Sequence, residues 1–477
     1  MTDNVPHEVN VLLRRISRRQ MLAGVVASIA SAGLASAGCQ TPASPGTPAP
    51  TAAKPAATTA PAAAGSPAAA ATKAPAVPAG TKLTMTVRAV FVPASNDLLA
   101  EQVKKWAQMN NAEATLEVVS LNDLQAKGAT AAETGAGPDI IQLWVNAPHQ
   151  FAERLADLDD VAEALGKKYG GWHSVSQEGV VSGGHWKALP HFYSAHAINY
   201  REDFFKAAGI AKIPETWEEL LAAGKKLKEA KQPPLGFALG HAVGDGNNFL
   251  YSLLWAYGGA EVDKDGKTVI FNSPETLRAV EFVKQLYAEA MTPDVTSWDD
   301  SSNNRAFIAG QVSATNNAAS IYASAEKDAP DVYKNMNHFA YPAGPAGKAQ
   351  YLELHSLGVM KYSKNLAAAK DLLAYLFDEA QYGPWLASGK TAAMPLLKDF
   401  DGRPDMPWNK DPKLAAFKGM GAIGRLPGWK GPSTAKAAEA FAKFIVIDAF
   451  AQAATGQKSP ADAVKWGENE LKQVYGG

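Results

Sequence analysis

Apolar residues recur along this chain with two different periods. The stretch "KLTMTVRAV" puts Leu83, Met85, Val87 and Ala89 at every second position, which predicts a strand. "NDLLAEQVKKWAQMN" then sets Leu98, Val103, Trp106 and Met109 on one helical face, with Asn96 as a candidate cap. "ATLEVV" and the mostly apolar "GPDIIQLW" read as the next two strands. Strand and helix in alternation predict a parallel sheet in an α/β domain. Ligands of such sheets collect at the carboxyl ends of the strands, which singles out residues 91–96 and 144–147.

Stronger helix signals follow. In "IPETWEELLAAGKKLKEA", Thr216 and Glu219 form a capping box, and Trp217, Leu220, Leu221, Gly224 and Leu227 share one face. "NSPETLRAVEFVKQLYAEA" has Ser273 as cap and Pro274 in the first turn. "SKNLAAAKDLLAYLFDEA" is expected to start at Ser363. The final helices are "STAKAAEAFAKFIVIDAFAQAATG", stopped by Gly456, and "SPADAVKWGENELKQVY". "FALG" and "QVSATN" are expected strands between them, while Trp106 and Trp217 belong to the core by their helical spacing.

The first 80 residues obey neither period. Arg14, Arg15, Arg18 and Arg19 precede an uncharged run from Met21 to Gly38, the layout of a cleaved export signal over residues 1–39. "SRRQML" resembles the twin-arginine export motif, and "SAGC" resembles a lipobox that would make Cys39 a lipidated first residue. Ser36 stands where that motif prefers a larger apolar residue. An uncleaved membrane anchor is the alternative, and both readings place the remainder outside the cytoplasm. Residues 40–80 are almost all Ala, Pro, Thr, Gly and Ser, without side chains to bury, so they read as a disordered tether.

Composition narrows the chemistry. Among 477 residues, 46 Lys+Arg against 47 Asp+Glu give a formal charge of -1, which makes no electrostatic case for nucleic acid. A single cysteine excludes an internal disulfide and a multi-cysteine zinc site. His185, His191 and His196 are the only loose histidine group and lack zinc-site spacing. No G-x-S-x-G or H-E-x-x-H occurs. A hydrolase using paired carboxylates, such as Asp299 with Asp300, and a metal receptor remain the rival readings.

Several segments in order carry a family resemblance over residues 81–475. They are "GPDIIQLW", "ALPHFYSAHAINYREDFFKAAGIAKIPETWEEL", "FNSPETLRAVEFVKQLY", "FIAGQVSATNNAASIY", "YPAGPAGK" and "GVMKYSKNLAAAKDLLAYL". Together they resemble the extracellular solute-binding proteins of ABC importers, in the sugar-binding, maltose-binding-protein-like family. The resemblance implies a periplasmic-binding-protein-like α/β fold, with two α/β lobes, a three-segment hinge and an interlobe ligand cleft. It places crossings near 194–200, 353–359 and 422–429, lobe 1 at 81–195 and 357–424, and lobe 2 at 196–356 and 425–477. It implies no enzyme activity and no cofactor. The expected partners are a carbohydrate, the importer's membrane subunits and, through the lipid anchor, a membrane, with the protein itself a monomer. Arg201, "LELHSLG" and Ala318–Ala319–Ser320 depart from the family pattern, so no particular sugar follows.

A sugar site needs flat aromatic faces and planar hydrogen-bonding groups. Trp144 and Asn146 follow a strand at the expected crevice, Ser95 and Asn96 lie in the loop after the first strand, and Tyr193 lies beside the first crossing. Asn247 and Asn248 precede a helix, and Trp298 with Asp299 and Asp300 joins a stacking face to acceptors. Asn316 and Asn317 occupy a turn, Glu353 and His355 the second crossing, and Trp429 the third. Each also has a bland alternative in sheet packing, hinge packing, turn or cap chemistry. The expected groove is lined jointly by Trp144, Trp298 and Trp429.

Overall fold

The computed structural model describes residues 77–476. The export segment, Cys39 and most of the Ala/Pro/Thr tether lie outside the described residues. No described helix is long and apolar enough to cross a membrane.

In chain order the strands are β1 (Lys82–Arg88), β2 (Glu113–Val119), β3 (Ile140–Trp144), β4 (Val181–Ser182), β5 (His185–Trp186) and β6 (Leu189–Ser194). They continue with β7 (Ala197–Arg201), β8 (Ala314–Asn317), β9 (Met336–Phe339), β10 (Gln350–Tyr351), β11 (Glu353–Val359) and β12 (Gly424–Arg425). The first lobe holds a five-stranded sheet ordered β2-β1-β3-β11-β6. β1 runs parallel to both neighbours, and β11 is antiparallel to β3 and β6. β3 is buried at every position, as its short apolar run demands of a strand covered on both faces. The second lobe holds a three-stranded sheet ordered β8-β7-β9.

The hinge has three segments. The chain leaves β6 for β7 through residues 195–196, returns from β10 to β11 through Leu352, and crosses again beyond β12. β10 and β12 pair in parallel, so two of the segments are bonded to each other. The helices Ile445–Ala454 and Pro460–Tyr475 pack on Pro274–Ala290 in the second lobe. The segment 411–417 joins the lobes on the far side. Tyr322 donates to Asp411 at 2.6 Å, and the Lys413 ammonium donates to the carbonyls of Tyr333, Lys334 and Met336 at 2.9, 3.1 and 2.8 Å. That cation sits on the C-terminal carbonyls of helix Pro330–Asn335, where the helix dipole favours it.

Local differences from the sequence expectations have visible causes. Thr216 caps its helix by accepting from Glu219 N–H, but the Glu219 carboxylate reaches back to Glu215 N–H. The expected helix after Ser433 is two helices, Ala435–Ala442 and Ile445–Ala454. Phe444 breaks them with φ of 55°, and its ring stacks on His241 at 4.3 Å. The helix expected from Ser363 begins at Leu366, because the Ser363 hydroxyl is held by Asp139. "FALG" forms no regular strand; Leu235 beside it makes isolated bridges to Met291 and Ala314. Trp106 and Trp217 are in the core, and the Trp106 indole donates to Asp371.

Candidate functional site

A polar cavity lies where both lobes and the hinge meet. Arg88 and Phe91 come from the end of β1 and its loop, and Ser194 and His196 from the first crossing. Glu353 opens β11, while Asp245, Asp300, Asn317 and Ser320 face it from the second lobe. The cavity measures about 30 Å³, room for a water molecule but not for a sugar ring. Sequence reasoning offered Asp300 as an acceptor beside Trp298, but did not select Arg88, Phe91, Ser194, His196, Asp245 or Ser320 as ligand residues. A legible signal was Arg88 itself, an arginine within an otherwise apolar strand end, since a buried charge needs a partner.

That partner is Glu353. Arg88 Nη1 lies 2.6 Å from Glu353 Oε1, with both side chains buried. Glu353 also receives His355 Nε2 at 2.9 Å and lies 3.3 Å from His196 Nε2. Burial alone would raise the Glu353 pKa, but the Arg88 guanidinium and the two imidazoles override it and hold it well below the usual range. Burial pushes His355 down to about 4, with Arg88 adding to the effect. Asp245 is moved the other way, well above the ordinary range, by burial and then by Asp300 and Glu353. Asp300 is also raised by burial, although the N–H groups of Gly244 and Asp245 donate to it.

A second groove begins beside this cavity. Gln142 links the two, since its side-chain oxygen accepts the Arg88 N–H at 3.0 Å. The groove has a volume of about 140 Å³ and lies between β3, the helix Leu121–Thr134 and the helix Ala435–Ala442. Trp144, Phe151 and Phe441 supply aromatic walls, and Gln125, Gln142 and Gln150 supply amides.

The candidate residues therefore divide. Asn317 and Glu353 line the polar cavity, and His355 stands behind Glu353, stacked on Phe192 at 4.5 Å. Trp144 and Asn146 line the aromatic groove. The Asn146 amide is already engaged, donating to Pro427 O and accepting from Ser433. The remaining side chains hold structure. Ser95 is buried against Ser388, and Asn96 clips both backbone groups of Val90 and caps no helix. The Tyr193 hydroxyl accepts from Gly421 N–H. Asn247 donates to Val243 O, Asn248 bonds Tyr351 O and the Tyr341 hydroxyl, and Asn316 donates to Asp245 O.

The three tryptophans expected in one groove are apart. Trp298 packs its ring over Gly236 inside the second lobe. Trp429 lies under the Arg425 guanidinium at 3.8 Å and edge-on to Trp255, as hinge packing. Asp299 serves the helix Ser302–Ile308, accepting from Ser301 and Ser302, and these bonds bring it down to about 2. The histidines also disperse: His191 stacks on Trp385, His185 bonds Asp159, and His196 lies in the cavity.

A family model described as bacterial extracellular solute-binding protein matches residues 93–383, more than half of the chain. A probable ABC transporter-binding protein of Deinococcus radiodurans is 29% identical over 294 residues, covering 58% of this chain and 66% of that protein. A maltose-bound structure from T. maritima is similar with a TM-score of 0.69 and 24% identity, over 83% of this chain and 100% of that one. A sugar transporter structure from Arthrobacter chlorophenolicus with bound laminaribiose gives a TM-score of 0.72 and 20% identity, over 82% and 99%.

Proposed function

From the premise that the chain belongs to the bacterial extracellular solute-binding proteins, we propose that it binds a sugar or sugar-like solute between its lobes and delivers it to an ABC importer. The observation that carries this reading is the groove at Trp144. Aromatic faces and side-chain amides meet there between the first lobe and the helix Ala435–Ala442, near a polar cavity built from both lobes. Indole and phenyl faces suit the C–H face of a pyranose, and amides suit its hydroxyls. The sugars named with the similar structures support a carbohydrate as the ligand.

The solute enters when the lobes separate and is enclosed when they meet, because the cavity between them is too small to admit a ring otherwise. A ligand touching both lobes binds the closed form better and shifts the population toward it. Lobe 1 is assigned residues 81–195 and 353–424, and lobe 2 residues 196–352 and 425–477; the expected boundary at 356 moves to 352 because β11 (Glu353–Val359) lies whole in the first lobe's sheet. Trp144, Asn146, Asn317 and Glu353 are the ligand contacts retained from the sequence, joined by Arg88, Phe91 and Asp245. No bond in the solute is made or broken.

Export by the twin-arginine route and tethering through lipidated Cys39 complete the reading, supported by "SRRQML" and "SAGC". The mature protein acts as a monomer that docks on the importer's membrane subunits. A thermal-shift screen against a carbohydrate panel tests the binding. A sugar that raises the melting temperature and is recovered intact supports it, and a panel without effect contradicts it.

A further inference from the structure

We propose that the polar cavity selects a solute carrying a protonated amino group, so that the ligand is an amino-bearing sugar held through Asp245 and Asp300. The proposal rests on the sugar-receptor reading and narrows its substrate class.

Charge in the cavity is unbalanced. Glu353, Asp245 and Asp300 all line it, and Arg88 is the only Lys or Arg among its described lining residues. That guanidinium is committed, with Nη1 on Glu353 at 2.6 Å and Nη2 donating to Ser194 at 3.3 Å. Asp245 and Asp300 have no Lys or Arg partner among the described residues. Two of the carboxylates converge beside Gly244, where a Cβ would lie 3.1 Å from Glu353 Oε2 and 3.4 Å from Asp300 Oδ1, and Asp245 is the next residue in the chain. Asp300 is tied to the first turn of helix Asp245–Ala256 by the N–H groups of Gly244 and Asp245, so it is held in place for a ligand.

An independent observation points the same way. His196 is buried on the cavity wall, and its Nδ1 has no hydrogen-bond partner, standing 3.6 Å from Asp245 Oδ1. A buried polar atom of this kind is normally satisfied, so its lack of a partner at a two-sided cavity marks a place completed by something else. Hydroxyls alone would leave two buried carboxylates uncompensated, and such burial is costly unless a cation pairs with them or protons neutralise them. A compact ammonium with three donors meets both carboxylates at once. Asp245 and Asp300 sit on the second lobe, while Arg88 and Glu353 belong to the first. Their apposition requires closure, so the amine would be gripped only in the closed form.

The test is calorimetric titration of the full mature protein near neutral pH with matched disaccharides: the glucosamine dimer, its N-acetylated form and cellobiose. These share a β-1,4 linkage and differ at the 2-position. The amine form is expected to bind roughly 10- to 100-fold tighter than either neutral form, the size of one charged hydrogen bond. Asp245→Asn should remove that preference, so that the amine form binds no tighter than the two neutral forms. The wild-type comparison stands by itself if the variant fails to fold. Neutral forms binding as tightly as the amine, or more tightly, overturn the amino-sugar assignment and leave the sugar receptor intact. A panel in which none of the three binds overturns the assignment, and the wider carbohydrate screen then decides the receptor reading separately.

Discussion

Replacing Arg88 by methionine tests the energetics of the interlobe cluster. Methionine keeps much of the volume and removes the charge, so Glu353 loses a partner 2.6 Å away while staying buried. His355 and His196 remain near it but do not supply a fixed positive charge. Breaking a buried pair on one side costs ~3–5 kcal/mol, because an uncompensated charge is left behind. About 400 described residues, at ~2.1 cal/mol/K each, give an unfolding entropy near ~0.8 kcal/mol/K, so the melting temperature should fall by ~4–6 °C. Glu353→Gln in the same chain removes the stranded charge and should return ~1–3 kcal/mol of the loss. The sign with pH is also fixed. In the wild type the depressed carboxyl contributes stability above its ordinary 4.5, which is lost as pH falls through the folded value. In Arg88→Met burial prevails, the carboxyl is raised, and its contribution disappears as pH rises instead. Calorimetric melting of the single and double variants, without sugar, reads these effects. A double variant no more stable than Arg88→Met would refute the stranded-charge explanation.

Three further perturbations probe other parts of the structure. Glu261 is buried, accepts from Tyr251 and from Gly428 N–H in the third crossing, and burial raises it to about 7. Its contribution is complete below the ordinary 4.5 and is lost as pH rises through 7, an effect of ~3 kcal/mol. Glu261→Gln should flatten that slope in urea melts, and an unchanged slope would count against it. Gly236→Ala puts a Cβ 2.5 Å from the Trp298 ring and 2.7 Å from Val312, so urea unfolding should show a loss of ~1–3 kcal/mol; a neutral variant would mean that Trp298 packs elsewhere. Trp144→Ala should weaken sugar binding by ~10-fold or more in a fluorescence titration, with little change if Trp144 only caps the sheet.

The periodic segments of the chain were legible because their burial follows their period. β1, β3 and the helices Trp217–Glu229 and Pro274–Ala290 stand where alternation and capping put them. Boundaries decided by tertiary contacts were not. Nothing local announces that Phe444 will stack on His241 and end a helix, or that Asp139 will hold Ser363. The candidate site was legible by region more than by residue. The strand ends and crossings do supply Trp144, Glu353 and Asn317, but residue type misled at the rest. Asn and Trp were selected as sugar-binding types, yet those amides found backbone partners within a few ångströms, and Trp298 found Gly236. Arg88 and Asp245 were passed over because their roles depend on Glu353, which lies 265 residues beyond Arg88 in the chain.

The most direct test is a carbohydrate titration of the protein that follows intrinsic fluorescence, with the solute analysed afterwards. One sugar should bind at one per chain, change the tryptophan emission of the wild type but not of Trp144→Ala, raise the melting temperature and be recovered chemically unchanged. A protein that leaves every sugar unbound, or returns the bound sugar cleaved, would contradict the account.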